Sequence, residues 1–157
     1  MDRVAIALGS NVGDRRAHLD YAVSRLRTLF ANLQVSRYYD TVPVGASGPQ
    51  ALYLNAAAVG ETTMSARVLL DTLHAIEAER GRERPYANAP RTLDLDLILL
   101  GGVVLDEPGL AVPHPRFRER RFVLEPLAAV APELNDPVSG KTVAELLAAW
   151  AGDSGRA

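Results

Sequence analysis

The sequence predicts an α+β domain, and three observations predict it. Short apolar runs of strand length alternate with two amphipathic helical stretches. Glycine, proline and capping residues punctuate each change of pattern. The order of the elements is strand, helix, strand, strand, helix, strand.

Val4-Ala5-Ile6-Ala7-Leu8, closed by Gly9, reads as a buried first strand. Asp14 can cap a helix in which Leu19, Ala22, Val23, Leu26, Leu29 and Phe30 share one face. Leu33 to Tyr39 reads as the second strand and Tyr53 to Thr62 as the third. The two prolines and two glycines within Thr41 to Leu52 make the intervening segment a loop. Ser65 can cap a second helix with Leu69, Leu73 and Ile76 on its apolar side, and Gly81 stands where a left-handed C-terminal cap is expected. Arg82 to Thr92, with Pro85 and Pro90, is a second loop, and Leu93 to Leu100 a fourth strand. This order is the ferredoxin-like arrangement, an antiparallel sheet with helices on one face. A C-terminal extension follows: a rigid Val112-Pro113-His114-Pro115 turn, a helix from Phe122 to Ala131 stopped by Pro132, and an amphipathic helix from Thr142 to Trp150. Trp150, the only tryptophan, falls outside both loops, and residues 152–157 read as a mobile tail.

Composition narrows the function. The length of 157 residues suits a single domain spanning 1–157. Charged residues at 23% and hydrophobic residues at 48% exclude a disordered chain. A net charge of −2 offers no global field for nucleic acid or anionic membrane, so neither is expected as a partner. Without cysteine there can be no disulfide, thiolate metal site or cysteine nucleophile. The apolar run at Val4 to Leu8 is too short for a signal peptide or membrane span, so a cytoplasmic location is expected. No obligatory protein partner is evident.

Eight arginines fall in two short windows: Arg80, Arg82, Arg84 and Arg91, then Arg116, Arg118, Arg120 and Arg121. Such clusters are ordinary in solvated loops, but the guanidinium fork also suits phosphate oxygens. The sharpest local signal is Arg91-Thr92-Leu93-Asp94-Leu95-Asp96-Leu97. Strand alternation turns the leucines to one side and Asp94 and Asp96 to the other, with Cα atoms about 7 Å apart. An isolated Asp-x-Asp is commonly just the polar face of a strand. The adjacent arginine points instead to a metal–phosphate site, since Mg²⁺ often takes one or two carboxylates together with substrate phosphates. Asn55 interrupts an apolar strand and shares a face with Tyr53; from this residue alone, a structural amide is favoured over a ligand-reading one. Glu77 and His114 taken singly carry no assignment. Gly9-Ser10-Asn11-Val12-Gly13 lacks the Lys-Ser/Thr ending of a P-loop, and the protein-kinase motifs are missing, so an ATP user here follows another design.

Taken together, the segments resemble the 6-hydroxymethyl-7,8-dihydropterin pyrophosphokinase family of folate biosynthesis. The resemblance runs from Ile6 to about Leu134. It rests on Gly9-Ser10-Asn11, Thr41 with Pro43 and Gly45, Tyr53-Leu54-Asn55-Ala56, Glu77 with Gly81-Arg82 and Arg84, Pro90-Arg91-Thr92-Leu93-Asp94-Leu95-Asp96, Val112-Pro113-His114, and Arg120 with Phe122. It implies transfer of diphosphate from ATP to a pterin hydroxymethyl group, releasing AMP, with two Mg²⁺ ions held by Asp94 and Asp96. It implies a pterin ring between Tyr53 and Phe122, its edge read by Asn55, Thr41 and backbone around Val42 and Val44. Glu77, Arg82, Arg84, Arg91, His114 and Arg120 would surround ATP, with Arg82 and Arg91 joining the two acids in catalysis. Both loops would close over the substrates. The chain departs from the family's pattern at Val42, where proline is frequent, and at Asn88-Ala89, where Trp-Gly is familiar in a loop one residue longer. The competing readings are a non-catalytic ligand-sensing domain and a metal-dependent phosphohydrolase.

Overall fold

Val4 to Leu8 form the middle of β1 (Asp2–Ser10), one of two central strands of the sheet. A computed structural model describes residues 1–41, 52–81 and 92–151. Val42, Val44, Arg82, Arg84, Arg91, the Asn88-Ala89 departure and the tail therefore lie outside the described residues.

Both helices of the core start where local capping dictates. The Asp14 side chain accepts the Ala17 N–H at 3.1 Å to open α1 (Arg15–Leu29). The chain returns through β2 (Ala31–Val35) and β3 (Tyr39–Thr41), crosses the loop, and enters β4 (Tyr53–Thr62). The Ser65 hydroxyl accepts the Val68 N–H at 3.3 Å to open α2 (Ala66–Glu79). Gly81, at φ +73°, follows that helix in the left-handed conformation that glycine adopts without a Cβ penalty. β5 (Asp94–Leu100) completes the sheet in the order β2-β4-β1-β5, all pairs antiparallel, which is the ferredoxin-like topology.

The expected second strand is broken. At Ser36 the hydroxyl, rather than a backbone carbonyl, accepts the Ala57 N–H at 3.0 Å, while the Ser36 N–H still reaches the Ala57 carbonyl at 2.9 Å. One side chain has entered the ladder, and the strand divides there. β3 resumes alongside β4 and pairs Tyr39 with Asn55 and Thr41 with Tyr53.

Each face of the sheet has its own core. Val4, Ile6, Leu8, Leu54, Ala56, Ala58, Leu95 and Leu97 meet Leu19, Leu26, Leu69, Leu73 and Ile76 of α1 and α2. These helical residues are fully buried, each burial stabilising by about 1.5–3 kcal/mol. Ala5, Ala57, Val59 and Ile98 meet the C-terminal extension on the opposite face. That extension begins with a hairpin the sequence did not signal, β6 (Leu105–Glu107) and β7 (Leu110–Val112), turned at Pro108-Gly109. A 3₁₀ turn at Phe117–Glu119 leads into α3 (Arg121–Val130), whose Val123, Leu124 and Leu127 cover the second face. The last helix is shorter than expected. α4 (Val143–Ala148) opens with a reciprocal Thr142–Glu145 capping box and ends before Trp150.

Candidate active site

Among the described residues, α3 packs on the part of its sheet face that carries Ala5, Ala57, Val59 and Ile98. Alternation along β4 and β5 puts Tyr53, Asn55, Asp94 and Asp96 on this face, towards the end where β1 reaches Gly9. Gly9 is the register partner of Asn55 on one side and of Asp94 on the other. An amide and a carboxylate thus flank a residue with no side chain, two strand spacings apart, or roughly 10 Å. In the next row with this orientation, Ala7 lies between Ala57 and Asp96.

The leucines of the Leu-Asp alternation go inward as expected: Leu95 and Leu97 are buried, Asp94 is half-buried and Asp96 is exposed. Asn55 is only 6% exposed, so its amide must be satisfied within the protein or by a ligand. Its Nδ2 donates to the Thr41 hydroxyl, joining two of the residues singled out from the sequence. Its Oδ1 is turned over Gly9: a Cβ at that glycine would lie 3.1 Å from it and 3.7 Å from the Tyr53 ring. Gly9 is therefore the floor of the site, a role for which the sequence offered only a glycine at the end of an apolar run. Phe122, half-buried, packs against the apolar cluster of the same face. The structure thus brings Thr41, Tyr53, Asn55, Asp94, Asp96 and Phe122 to one face.

On the outer side of β5 lies a cleft of about 240 Å³, lined by His74, Glu77, Leu95, Asp96, Leu110 and His114 among others. β5 is an edge strand, and its outward backbone groups need partners. Glu77, 3% exposed, accepts the Leu95 N–H at 2.7 Å. The His114 N–H reaches the Ile98 carbonyl at 2.9 Å. Two residues expected near ATP are thereby fixed at the wall of the cleft by the strand that carries the acids. Buried in this way, Glu77 is not a solvated helix residue. His74 and the hairpin residues Leu110 and Ala111 complete the wall, and nothing in their local pattern marked them.

The surroundings of His114 favour its neutral form. Burial pushes its imidazole below the usual range; Asp96 opposes this, while Arg120 and Arg116 add to it. Its Nδ1 accepts the Arg116 N–H at 3.2 Å, so the ring proton belongs on Nε2, available as a donor.

The structure separates the second arginine cluster. Arg118 forks onto Asp136 at 2.5 and 2.8 Å. Arg121 pairs with Glu125 at 2.7 Å and lies over the Trp150 ring. Arg120 instead lies over the Phe122 ring, with its guanidinium carbon 5.5 Å from the centroid. In the first cluster, Arg80 donates to the His18 Nδ1 at 3.1 Å and stacks over Tyr21, tying α2 to α1. Trp150 lies outside both loops, yet it is bound to the strip beside Arg120: its Nε1 donates to the Glu119 carbonyl at 2.9 Å.

Fold and site together define a class, a ferredoxin-like α+β domain whose second sheet face ends in an acidic, amide-bearing site beside an open cleft. The chain belongs to the 7,8-dihydro-6-hydroxymethylpterin-pyrophosphokinase family, whose model matches residues 5–132. It is 42% identical over 151 residues to a 2-amino-4-hydroxy-6-hydroxymethyldihydropteridine pyrophosphokinase of Pseudomonas aeruginosa, covering 95% of this chain and 92% of that protein. It is 40% identical over 159 residues to the Bacillus subtilis protein of the same name, covering 99% of this chain and 95% of that one. It is also 34% identical over 144 residues to the folic acid synthesis protein fol1 of Pneumocystis carinii, covering 91% of this chain but 19% of that protein.

Proposed function

We infer that this protein is a pyrophosphokinase of folate biosynthesis, transferring diphosphate from ATP to the hydroxymethyl group of 6-hydroxymethyl-7,8-dihydropterin and releasing AMP. The observation that carries the reading is the row Asn55–Gly9–Asp94. A buried amide that can read a heterocycle edge lies across a bare glycine from a carboxylate that can serve a phosphate-bound cation. Thr41, Tyr53, Asn55 and Phe122, with backbone at Val42 and Val44, form the pterin side of this reading. Glu77, Arg82, Arg84, Arg91, His114 and Arg120 form the ATP side.

The donor set suits Mg²⁺. Asp94 and Asp96 are both oxygen donors on one strand face, one of them exposed, and Mg²⁺ is commonly held by one or two carboxylates plus substrate phosphate. These two residues would hold the expected pair of ions, and bound Mg²⁺ would neutralise phosphate charge as the β-phosphorus is attacked. The chain's own contribution is binding and orientation. Asn55, held by Thr41, fixes the pterin edge. Flat aromatic side chains suit a bicyclic ring. His114 offers a neutral Nε2–H to a phosphate or ribose oxygen, while Arg82, Arg91 and Arg120 meet negative charge. No side chain is needed as a strong base, because phosphoryl-type transfer is accelerated chiefly by positioning and electrostatic stabilisation. The in-line step joins the pterin oxygen to the β-phosphorus and breaks the bond to the AMP oxygen. A cytoplasmic location fits a consumer of ATP, and no described helix is long and apolar enough to cross a membrane.

Incubation with Mg²⁺-ATP, with and without the pterin, tests the assignment. Pterin-dependent AMP is expected. ADP, inorganic phosphate without pterin, or no turnover would overturn it.

A further inference from the structure

His114, Arg120 and Phe122 lie on a strip of chain that has little local means of holding its shape. The 3₁₀ turn at Phe117–Glu119 has no side-chain cap, and neither does the start of α3. Such short turns are usually held by tertiary contacts rather than by propensity. Phe117 is buried against the sheet and His114 is bonded to Ile98, and the contacts around Arg120 come from residues beyond position 132, where the match to the family model ends. Asp136, whose side chain is fully buried, receives the Arg118 fork, the Ser139 hydroxyl at 2.7 Å and the Val138 N–H at 3.0 Å. Its segment is closed on itself by the Val143 N–H to the Leu134 carbonyl at 2.9 Å and the Asp136 N–H to the Lys141 carbonyl at 2.8 Å. Trp150 takes the next carbonyl along the strip, that of Glu119, and its ring lies under Arg121. The residues on both sides of Arg120 are thus held, Arg118 and Glu119 before it and Arg121 after it. Arg120 alone of the three arginines lies against Phe122 on the face that carries the candidate site.

We propose that residues 133–150 act as a positioning clamp, with Asp136 and Trp150 as positioning residues that set Arg120 for the nucleotide. This rests on the assignment of that strip to ATP. The clamp commits Arg118 to a buried carboxylate, which removes it as a competing phosphate ligand and spares Arg120 the search among backbone conformations. Preorganisation of this kind raises affinity without adding a contact to the ligand.

The test uses the full chain with Asp136→Asn, which keeps shape but removes charge, and Trp150→Phe, which keeps a ring but removes the N–H. Calorimetry measures a non-hydrolysable ATP analogue with Mg²⁺ and, separately, the pterin; thermal melts are run in parallel. Both variants are expected to bind the analogue about 3–10-fold more weakly while pterin affinity stays within about twofold. Analogue affinity within about twofold of wild type in both folded variants, whatever the melting temperature does, would reduce the segment to scaffold. Equal losses for both ligands would do the same. Wild type that binds pterin but no nucleotide would overturn the ATP assignment of the strip and the clamp with it, an outcome recognisable before any variant is made.

Discussion

Gly9→Ala puts the floor of the site under direct test. The added Cβ would stand 3.1 Å from the Asn55 Oδ1 and 3.7 Å from the Tyr53 ring. The second contact is ordinary, since carbon atoms pack at about 3.5–4.0 Å. The first is too close by a few tenths of an ångström, so Asn55 must give way. It has little room: the residue is buried, and its Nδ2 is engaged by Thr41. A small rotation misaligns the amide for a ligand edge and costs about one hydrogen bond, roughly 0.5–1.5 kcal/mol. That corresponds to about a 2–12-fold loss of pterin affinity. Nucleotide affinity, proposed to depend on the cleft at the outer side of β5, should fall less than about twofold. The fold should hold or gain slightly, because alanine is favoured over glycine in a strand by about 0.5–1 kcal/mol. Calorimetry with each ligand and a thermal melt decide it. Unchanged pterin affinity in a folded variant would show that Gly9 is not the floor of the pterin site.

Other expectations follow from the same geometry. Asp94→Asn or Asp96→Asn should lower turnover by at least about 100-fold, as for loss of a strong transition-state electrostatic contact, with the fold retained; near wild-type turnover at saturating Mg²⁺ in both would refute the metal assignment. Asn55→Ala should weaken pterin binding by roughly 1–3 kcal/mol and leave ATP binding nearly unchanged in titrations; equal losses would make Asn55 a folding residue. Burial pushes the Asp136 carboxyl up, but Arg118, Ser139 and the Val138 N–H overcome this and bring it from 3.8 down to about 2. A depressed folded-state pKa contributes stability above the unfolded value that is lost as pH falls through the folded one. Asp136 should therefore contribute up to about 2 kcal/mol near neutrality, fading between about pH 4 and 2. Urea unfolding of wild type against Asp136→Asn should show that gap closing over this range; a constant gap would contradict it. Emission from Trp150 should change little when the Mg²⁺-bound ATP analogue binds, because its N–H is already held on the Glu119 carbonyl; a strong shift in a saturating titration would show that the strip rearranges on binding.

What could be read from the sequence alone was what depends on near neighbours. Helix starts at Asp14 and Ser65 were legible because a cap is a contact across three residues. The two-faced strand at Asp94–Leu100 was legible because alternation needs only the pleat, and it set the acids apart from the leucines before any partner strand was known. The family's motifs carried Asn55, Tyr53, Glu77, His114 and Phe122 to attention in the same way, as local strings. Tertiary structure alone decided how those strings meet. Gly9 became a floor because β1 runs between β4 and β5, a consequence of antiparallel pairing between distant segments. Ser36 broke its strand through a hydroxyl that found Ala57, 21 residues away. Glu77 turned from a helix residue into a partner of β5 because an edge strand leaves backbone N–H groups that burial obliges the chain to satisfy. Arg118 and Arg120 look alike in sequence. Only the fold, by setting buried Asp136 against one and half-buried Phe122 against the other, gave the two guanidinium groups different surroundings.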